Sequence, residues 1–161
     1  MLCARMCVGL LFTSIAVQFA QPISADDSAL VDVVVQLLGD KDKDMRALGL
    51  EQVRSASPGD AATKAYAAAL PKLSPAAQVG LLKALTVRAD NAARSAVVSL
   101  LSSTKDAKVR VEAIRALGDL GTSADLPELL RWLGKGTAAE RSVAKTSLVR
   151  LPGPTVSRQI A

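Results

Sequence analysis

An internal repeat of roughly 32 residues is the feature that most restricts the fold of this 161-residue chain. The segment D-K-D-M-R at residues 42–46 aligns with D-A-K-V-R at residues 106–110, two repeats further on. Ala84-Leu85 similarly lies one repeat before Ala116-Leu117. A unit this short cannot bury its own apolar side chains, so consecutive units have to stack and share one elongated core. The sequence therefore predicts a repeat protein.

Each unit is predicted to be a pair of α-helices. Breakers such as Ser57-Pro58-Gly59 and Gly134-Lys135-Gly136 separate segments of roughly 12–16 residues, a usual helix length. In residues 106–121, apolar side chains recur at helical spacing on one face, and charged side chains occupy the other. We therefore expect an all-α chain with four helix pairs, at residues of about 28–56, 60–88, 91–120 and 123–151.

Residues 28–39, S-A-L-V-D-V-V-V-Q-L-L-G, are compatible with two secondary structures. The cluster of valines is typical of a β-strand. A lone strand would have no partner among helical neighbours, however, so we favour a helix. Ser28 is the expected N-cap of this helix, with acidic residues near the helix start.

Residues 1–25 are expected to form a secretory signal peptide. Arg5 is the only charge before Asp26, and a mostly apolar run extends from Met6 to Ala20. Pro22 and the small residue Ala25 then provide a helix break and a cleavage site. The apolar run is shorter than the ~20 residues that span a bilayer, which favours a cleaved leader over an anchor. We therefore expect an exported protein, periplasmic or secreted, with no membrane contact apart from its leader.

The composition excludes most catalytic chemistry. The chain has no histidine, which is the commonest metal ligand and the usual general base near neutral pH. Cys3 and Cys7 lie within the expected leader, and no phosphate-binding glycine loop is present. Cleavage would remove Arg5 from the 20 basic residues and none of the 15 acidic ones, and the resulting net charge of +4 is small for a nucleic-acid-binding protein. We expect no enzymatic activity, no cofactor, no metal and no nucleic-acid partner.

A family resemblance supports the repeat interpretation. Residues 106–121, D-A-K-V-R-V-E-A-I-R-A-L-G-D-L-G, resemble the second helix of a HEAT repeat, and residues 42–50 are similar. The longer run from Leu70 to Gly153 resembles HEAT segments of exported bacterial proteins, notably of planctomycete type. The resemblance implies a right-handed α-solenoid in which the second helix of each pair lines a concave surface.

Two Asp–Arg pairs are assigned a structural role. Asp42 and Asp106 each stand at the start of a second helix, where an aspartate caps free backbone amides. The resemblance further implies that they bond to Arg46 and Arg110 of neighbouring repeats. Because the same pair recurs at a repeat interval, we favour this interpretation over a catalytic carboxylate–guanidinium site.

The function that fits best is a non-catalytic protein–protein interaction scaffold of the cell envelope or exterior, with an unidentified protein as its partner. Its contacts would be polar and would weaken with salt. The alternative is a fragment or relative of a longer multidomain HEAT protein, in which the repeats assist an enzyme, for example a lyase. The outward positions predicted to line the concave face and bind the partner are Glu51, Arg54, Lys83, Arg88, Glu112, Arg115 and Lys145.

The aromatic residues and the C-terminus lead to two further expectations. Tyr66 and Trp132 are the only aromatic residues outside the expected leader, and we expect each to fill space between helices rather than anchor a partner. Residues 154–161 read as the start of a fifth repeat, so Leu148 and Leu151 are expected to be poorly covered. Such an exposed end would allow self-association through the C-terminal repeat.

Overall fold

The structure, a computed structural model, describes residues 25–56 and 59–151. Residues 1–24 of the expected signal peptide and the tail after Leu151 lie outside this part of the chain. Within it are eight α-helices and no β-strand, and none of the helices is long and apolar enough to cross a membrane. The helices are α1 (Ala25–Leu38), α2 (Lys43–Ser55), α3 (Asp60–Ala68), α4 (Pro75–Arg88), α5 (Arg94–Ser103), α6 (Ala107–Leu120), α7 (Leu126–Lys135) and α8 (Ala138–Arg150).

The helices follow one another as four pairs, and short 3₁₀ turns at Asn91–Ala93 and Ser123–Asp125 lead into the last two pairs. The valine-rich first segment is helical, as expected, and not a strand. The expected N-cap was wrong, because α1 already begins at Ala25 and Ser28 lies inside the helix.

The caps predicted at the start of two second helices are confirmed. The Asp42 carboxylate accepts hydrogen bonds from the backbone amides of Asp44 and Met45, and Asp106 accepts them from Lys108 and Val109. The remaining second helices, α4 and α8, are capped by hydroxyl side chains, Ser74 and Thr137, in the same place. One capped second helix per repeat is thus the local signature that the sequence repeat encodes.

The second helices pack side by side in the order α2, α4, α6, α8, and each also packs against the first helix of its own pair. Neighbouring first helices make less contact with one another than neighbouring second helices do. The core between the two layers is almost entirely aliphatic, with Tyr66 as its buried aromatic residue. Since the second helices form the more closely packed layer, they occupy the inner side of the stack.

The last pair is better covered than the sequence suggested. Leu148 and Leu151 are each only 4% exposed, so the expectation that they would be poorly covered was wrong. The reason is close packing of α8 on α6: the Ser147 hydroxyl donates to the Ile114 carbonyl oxygen at 2.9 Å, and Leu151 lies against Gly121. Exposed leucines therefore provide no reason for self-association at this end.

Candidate interaction surface

The second helices carry a line of side chains on the inner surface of the stack. Glu51 of α2, Lys83 of α4 and Arg115 of α6 are each separated by one repeat, so they occupy the same position in successive units. Glu51 and Lys83 are exposed, and Arg115 is half-buried. Because the three helices pack side by side, these side chains follow one another along the surface. We call Glu51, Lys83 and Arg115 the inner row.

Most of the charge along the inner row is already compensated. Arg54 donates to Glu51 at 2.7 Å, and Arg115 donates to Glu112 of its own helix. The Arg54–Glu51 pair is exposed and contributes little stability, whereas Glu112 is only 6% exposed. Both pairs cancel the local charge. Lys83 has no hydrogen-bond or ion-pair partner among the residues that the structure describes. Within the inner row it is therefore the cation that remains available to a ligand.

The sequence did not single out a second line of side chains beside the inner row. Val87 lies one turn beyond Lys83 on α4 and is 67% exposed. At the equivalent positions, Asp119 of α6 and Arg150 of α8 form an ion pair of 3.3 Å. The recurrence of these positions at the repeat interval was a signal that could have identified them. Together the two lines place an exposed apolar side chain next to Lys83.

Arg88 is half-buried, and its guanidinium makes contacts between repeats that the expected place on the concave face did not include. Its Nε donates to the Thr63 hydroxyl at 2.6 Å, and its Nη1 donates to the carbonyl oxygens of Val53 and Ala56 at 3.0 and 2.8 Å. The guanidinium also lies 5.6 Å from the centroid of the Tyr66 ring. These contacts join the second helices of the first two pairs to α3, so Arg88 is part of the junction between repeats.

Glu112 and Lys145 are also placed differently from expectation. Glu112 is only 6% exposed. It occupies the position of Gly80 in α4, where an added Cβ would meet the preceding second helix, so Glu112 likewise faces the second helix before its own. Lys145 is exposed, but it corresponds to Leu82 and Ile114, which are fully buried toward the following helix. Lys145 therefore lies on the C-terminal end of the stack rather than in the inner row.

Arg110 connects two repeats, but its acidic partner differs from the one expected. Its Nε donates to Glu140 of α8 at 2.6 Å, and its Nη1 donates to the Lys105 carbonyl oxygen at 2.9 Å. Asp106 is engaged instead in capping α6. The inter-repeat role assigned to Arg110 thus rests on an Arg–Glu pair that joins α6 to α8.

Arg46 occupies the same position in the first repeat but makes no ion pair within the described part of the chain. Its Nη1 donates to the carbonyl oxygens of Asp40 and Lys41, both at 2.8 Å, while Asp42 caps α2. In the second repeat, the position equivalent to Glu140 is held by Ala77, which has no charge to pair with Arg46. Arg46 therefore fixes the turn of its own helix pair.

A second ion pair between repeats sits at the start of the first helices. Arg94 of α5 donates from Nε and Nη2 to the two carboxylate oxygens of Asp125, both at 2.6 Å. Burial alone would raise the pKa of Asp125, but the Arg94 bonds and the Thr122 amide outweigh it and hold that pKa below its usual range. Burial likewise opposes the ionised form of Glu140, and the bonds from Thr137 and Arg110 lower the Glu140 pKa on balance.

The two aromatic residues differ in their burial. Tyr66 is completely buried, as expected for a side chain that fills space between helices. Trp132 is half-buried, its ring nitrogen donates to Glu128 at 2.8 Å, and Arg131 lies 5.1 Å from its ring centroid. Both aromatic rings are therefore held by contacts within the molecule.

No constellation for metal chemistry is found in residues 25–56 and 59–151. In this part of the chain, no three His, Cys, Asp or Glu side chains are grouped closely enough to hold an ion. The shifted carboxylates, Asp125 and Glu140, are both bonded to arginines at repeat junctions. Their altered pKa values therefore have a structural cause.

A family model for HEAT repeats matches residues 63–149, which is more than half of the chain. The match begins within α3 and ends within α8, so it covers the second, third and fourth helix pairs. Neither the curated proteins nor the solved structures contain a significant match to the chain. HEAT repeats in general mediate protein–protein interactions. The matched repeats and the four stacked helix pairs show that this chain belongs to the HEAT-repeat family.

Proposed function

We propose that the protein is a non-catalytic interaction scaffold that binds an acidic segment of a partner protein along the inner row. The observation that supports this most directly is the available ammonium of Lys83 beside the exposed side chain of Val87. A carboxylate would bond to the lysine, and an apolar neighbour in the partner would cover the valine. Charge and apolar contact at adjacent points select such a segment over a neutral one.

The flanking ion pairs would adjust to the partner. The pairs Arg54–Glu51 and Arg115–Glu112 lie on either side of Lys83 along the row. Each arginine is partly exposed and each pair lies within one helix. Because a guanidinium has several N–H donors, an incoming carboxylate can bond to the arginine while the arginine keeps its own glutamate. Such exposed charges contribute mainly to the rate of association, and salt screens them. The complex is therefore expected to weaken as ionic strength rises.

An exported location is part of the same proposal. The order of charge, apolar run and small residue before Asp26 supports cleavage near Ala25, followed by release into the periplasm or the exterior. The absence of histidine from the whole sequence supports a role without catalysis. The intact mass of the protein recovered outside the cytoplasm tests the location, and a mass that still includes residues 1–25 would contradict the cleavage.

The binding proposal is tested with charge reversals at two lysines. The full chain is used for affinity capture from envelope and extracellular fractions, and each captured protein is then titrated against the variants. Lys83→Glu is expected to weaken the partner's affinity by about tenfold or more. Lys64→Glu is the matched control, because Lys64 is exposed on α3 in the outer layer.

Val87→Asp provides a second measurement at the same point of the surface. Because Val87 is 67% exposed, the change is tolerated by the fold but places a repelling charge where we expect the partner's apolar side chain. Loss of affinity in Lys83→Glu and Val87→Asp, with none in Lys64→Glu, would support the inner row. Equal affinities for wild type and both inner-row variants would contradict it.

A further inference from the structure

The N-terminal end of the stack carries an uncovered apolar surface. Leu30 and Val33 of α1 are 41% and 52% exposed, and Met45 and Leu48 of α2 are 46% and 50% exposed. All four are apolar side chains of the first helix pair. We call Leu30, Val33, Met45 and Leu48 the N-terminal end face.

This face has the positions of an internal junction between repeats. Met45 corresponds to Ala77 in α4 and to Val109 in α6, which are 7% and 0% exposed. Leu48 corresponds to Gly80, where an added Cβ would lie 2.8 Å from Leu50 of the preceding second helix. In later repeats these positions are thus covered by the repeat before them. The first repeat retains apolar side chains there without such a cover among the described residues.

The opposite end of the stack has a different chemistry. Arg141, Lys145 and Val149 of α8 occupy the positions that Arg110, Ile114 and Gly118 occupy in α6. In α6 these positions face the following second helix, since Arg110 bonds to Glu140 and an added Cβ on Gly118 would meet Ser147. In α8 all three are exposed, Val149 by 81%, and Leu130 of α7 is 46% exposed. We call Leu130, Arg141, Lys145 and Val149 the C-terminal end face.

The two ends of the stack have opposite net charge. Residues 25–56 contain seven acidic and four basic residues, a net charge of −3. Residues 123–151 contain three acidic and five basic residues, a net charge of +2. The acidic Asp44 is exposed on α2 beside the N-terminal end face, while Lys145 and Arg141 lie on the C-terminal end face. Each end therefore combines apolar side chains with a charge that complements the other end.

We propose that the N-terminal end face binds the C-terminal end face of a second copy of this chain, so that copies stack head to tail. In such a junction, α2 of one copy packs beside α8 of another copy, in the same way that α8 packs beside α6 within one chain. The aliphatic stems of Arg141 and Lys145 would lie over Met45 and Leu48, and their charges would reach the acidic residues beside them. Contact between two N-terminal ends would instead bring together two acidic repeats. A head-to-tail interface of this kind does not close on itself, and therefore builds chains of copies.

Two variants block one end each. Leu48→Lys places a positive charge in the N-terminal end face, where it would repel Arg141 and Lys145 of the other copy. Val149→Asp places a negative charge in the C-terminal end face, where it would be repelled by the acidic first repeat. Both residues are exposed, so neither change disturbs the core, which circular dichroism verifies. The full chain is expressed, the N-terminus of the product is read by intact mass, and the size distribution is measured by sedimentation velocity over a range of concentrations.

Wild type is expected to form species larger than a dimer as its concentration rises, and each variant alone to weaken association by about tenfold or more. An equal mixture of the two variants should form one-to-one dimers, because each contributes the end that the other has lost. A charge introduced at one end leaves the opposite end of the same copy free to bind.

Three results would overturn the proposal. The first is a wild type that is monomeric at every concentration, as when residues 1–24 of the same chain cover the N-terminal end face. The second is a Val149→Asp variant that still dimerises as wild type does, which indicates contact between two N-terminal ends. The third is a mixture of the two variants that remains monomeric while wild type associates.

Discussion

Replacing Glu140 by glutamine tests how the third and fourth repeats are held together. Glu140 is 2% exposed, and its two carboxylate oxygens have different tasks. One accepts from Arg110 of α6 at 2.6 Å, and the other accepts from the backbone amide of Thr137 at 2.8 Å. Glutamine has one acceptor oxygen and an amide nitrogen that can only donate. One of the two donors therefore loses its partner in Glu140→Gln.

The expected loss follows from the charge and burial of the lost bond. Hydrogen bonds to a charged group contribute roughly 1.5–3 kcal/mol, and Arg110 is 21% exposed, so water replaces part of the lost interaction. We expect Glu140→Gln to lower the free energy of unfolding by about 2 kcal/mol near neutral pH. For a chain of this length that corresponds to a fall in Tm of roughly 4–8 °C.

The difference between wild type and variant should depend on pH. The pKa of Glu140 is lowered in the folded state, so the folded protein favours the ionised carboxylate more than the unfolded chain does. Its contribution to stability is complete above the unfolded pKa of about 4.3 and is lost as the pH falls through the folded pKa. Glutamine does not titrate, so the stability of the variant lacks this dependence. The two unfolding free energies should therefore converge in acid.

The assay is denaturant unfolding of the full chain, followed by the helical circular dichroism signal at several pH values. Glu51→Gln is the matched control, because the Glu51 carboxylate pairs with Arg54 on the surface and its side chain is 62% exposed. That exposed pair should contribute no more than about 0.5 kcal/mol. Equal losses in Glu140→Gln and Glu51→Gln, or a Glu140→Gln deficit that persists unchanged in acid, would refute the reasoning.

Two further predictions concern backbone geometry and use the same unfolding assay. Gly118→Ala should destabilise the protein by about 1–3 kcal/mol, because the new Cβ would lie 2.6 Å from the Ser147 Cβ and force α6 and α8 apart. Gly134→Ala, a helical position with no atom within 4 Å of the new Cβ, should be neutral or stabilising by up to about 1 kcal/mol, and a loss there would refute this interpretation. Ala89→Gly should stabilise by about 0.5–1 kcal/mol, because Ala89 ends α4 in a left-handed conformation with φ of 55°, and no gain would mean that the strain is absent.

The parts of the fold that local sequence determines were predictable. Asp42 and Asp106 were identified as caps because capping depends only on backbone amides two and three residues away. Ser28 was misassigned by similar reasoning, since α1 begins earlier, at Ala25. The helical preference of the first segment was correct because its neighbours are all helices, which a valine count alone does not reveal.

The parts of the surface that depend on neighbouring repeats were harder to predict. Glu112 lies on the polar side of its own helix, yet the preceding second helix covers it. Arg88 was assigned to the concave face, but Thr63 and the carbonyl of Val53 turn it toward the junction. Comparison of equivalent positions identifies such cases, because Gly80 at the Glu112 position leaves room only for a close neighbour. A helical wheel shows the polar and apolar sides of a single helix, whereas the burial of a side chain in a stack also depends on the neighbouring helix.

Leu82 and Ile114 occupy the same position in the second and third repeats, and the residue at this position changes character in the last repeat. Both residues are fully buried toward the next helix, whereas Lys145 holds this position in the last repeat and is exposed. A lysine there suits water or an acidic face, and the first repeat provides an acidic face with apolar side chains beside it. Head-to-tail stacking would align the inner rows of successive copies and repeat Lys83 at regular intervals. Several weak sites held in line bind an extended acidic partner more tightly than one site does. Blocking the ends with Val149→Asp should therefore weaken binding of a long partner while leaving the affinity for a short acidic segment unchanged.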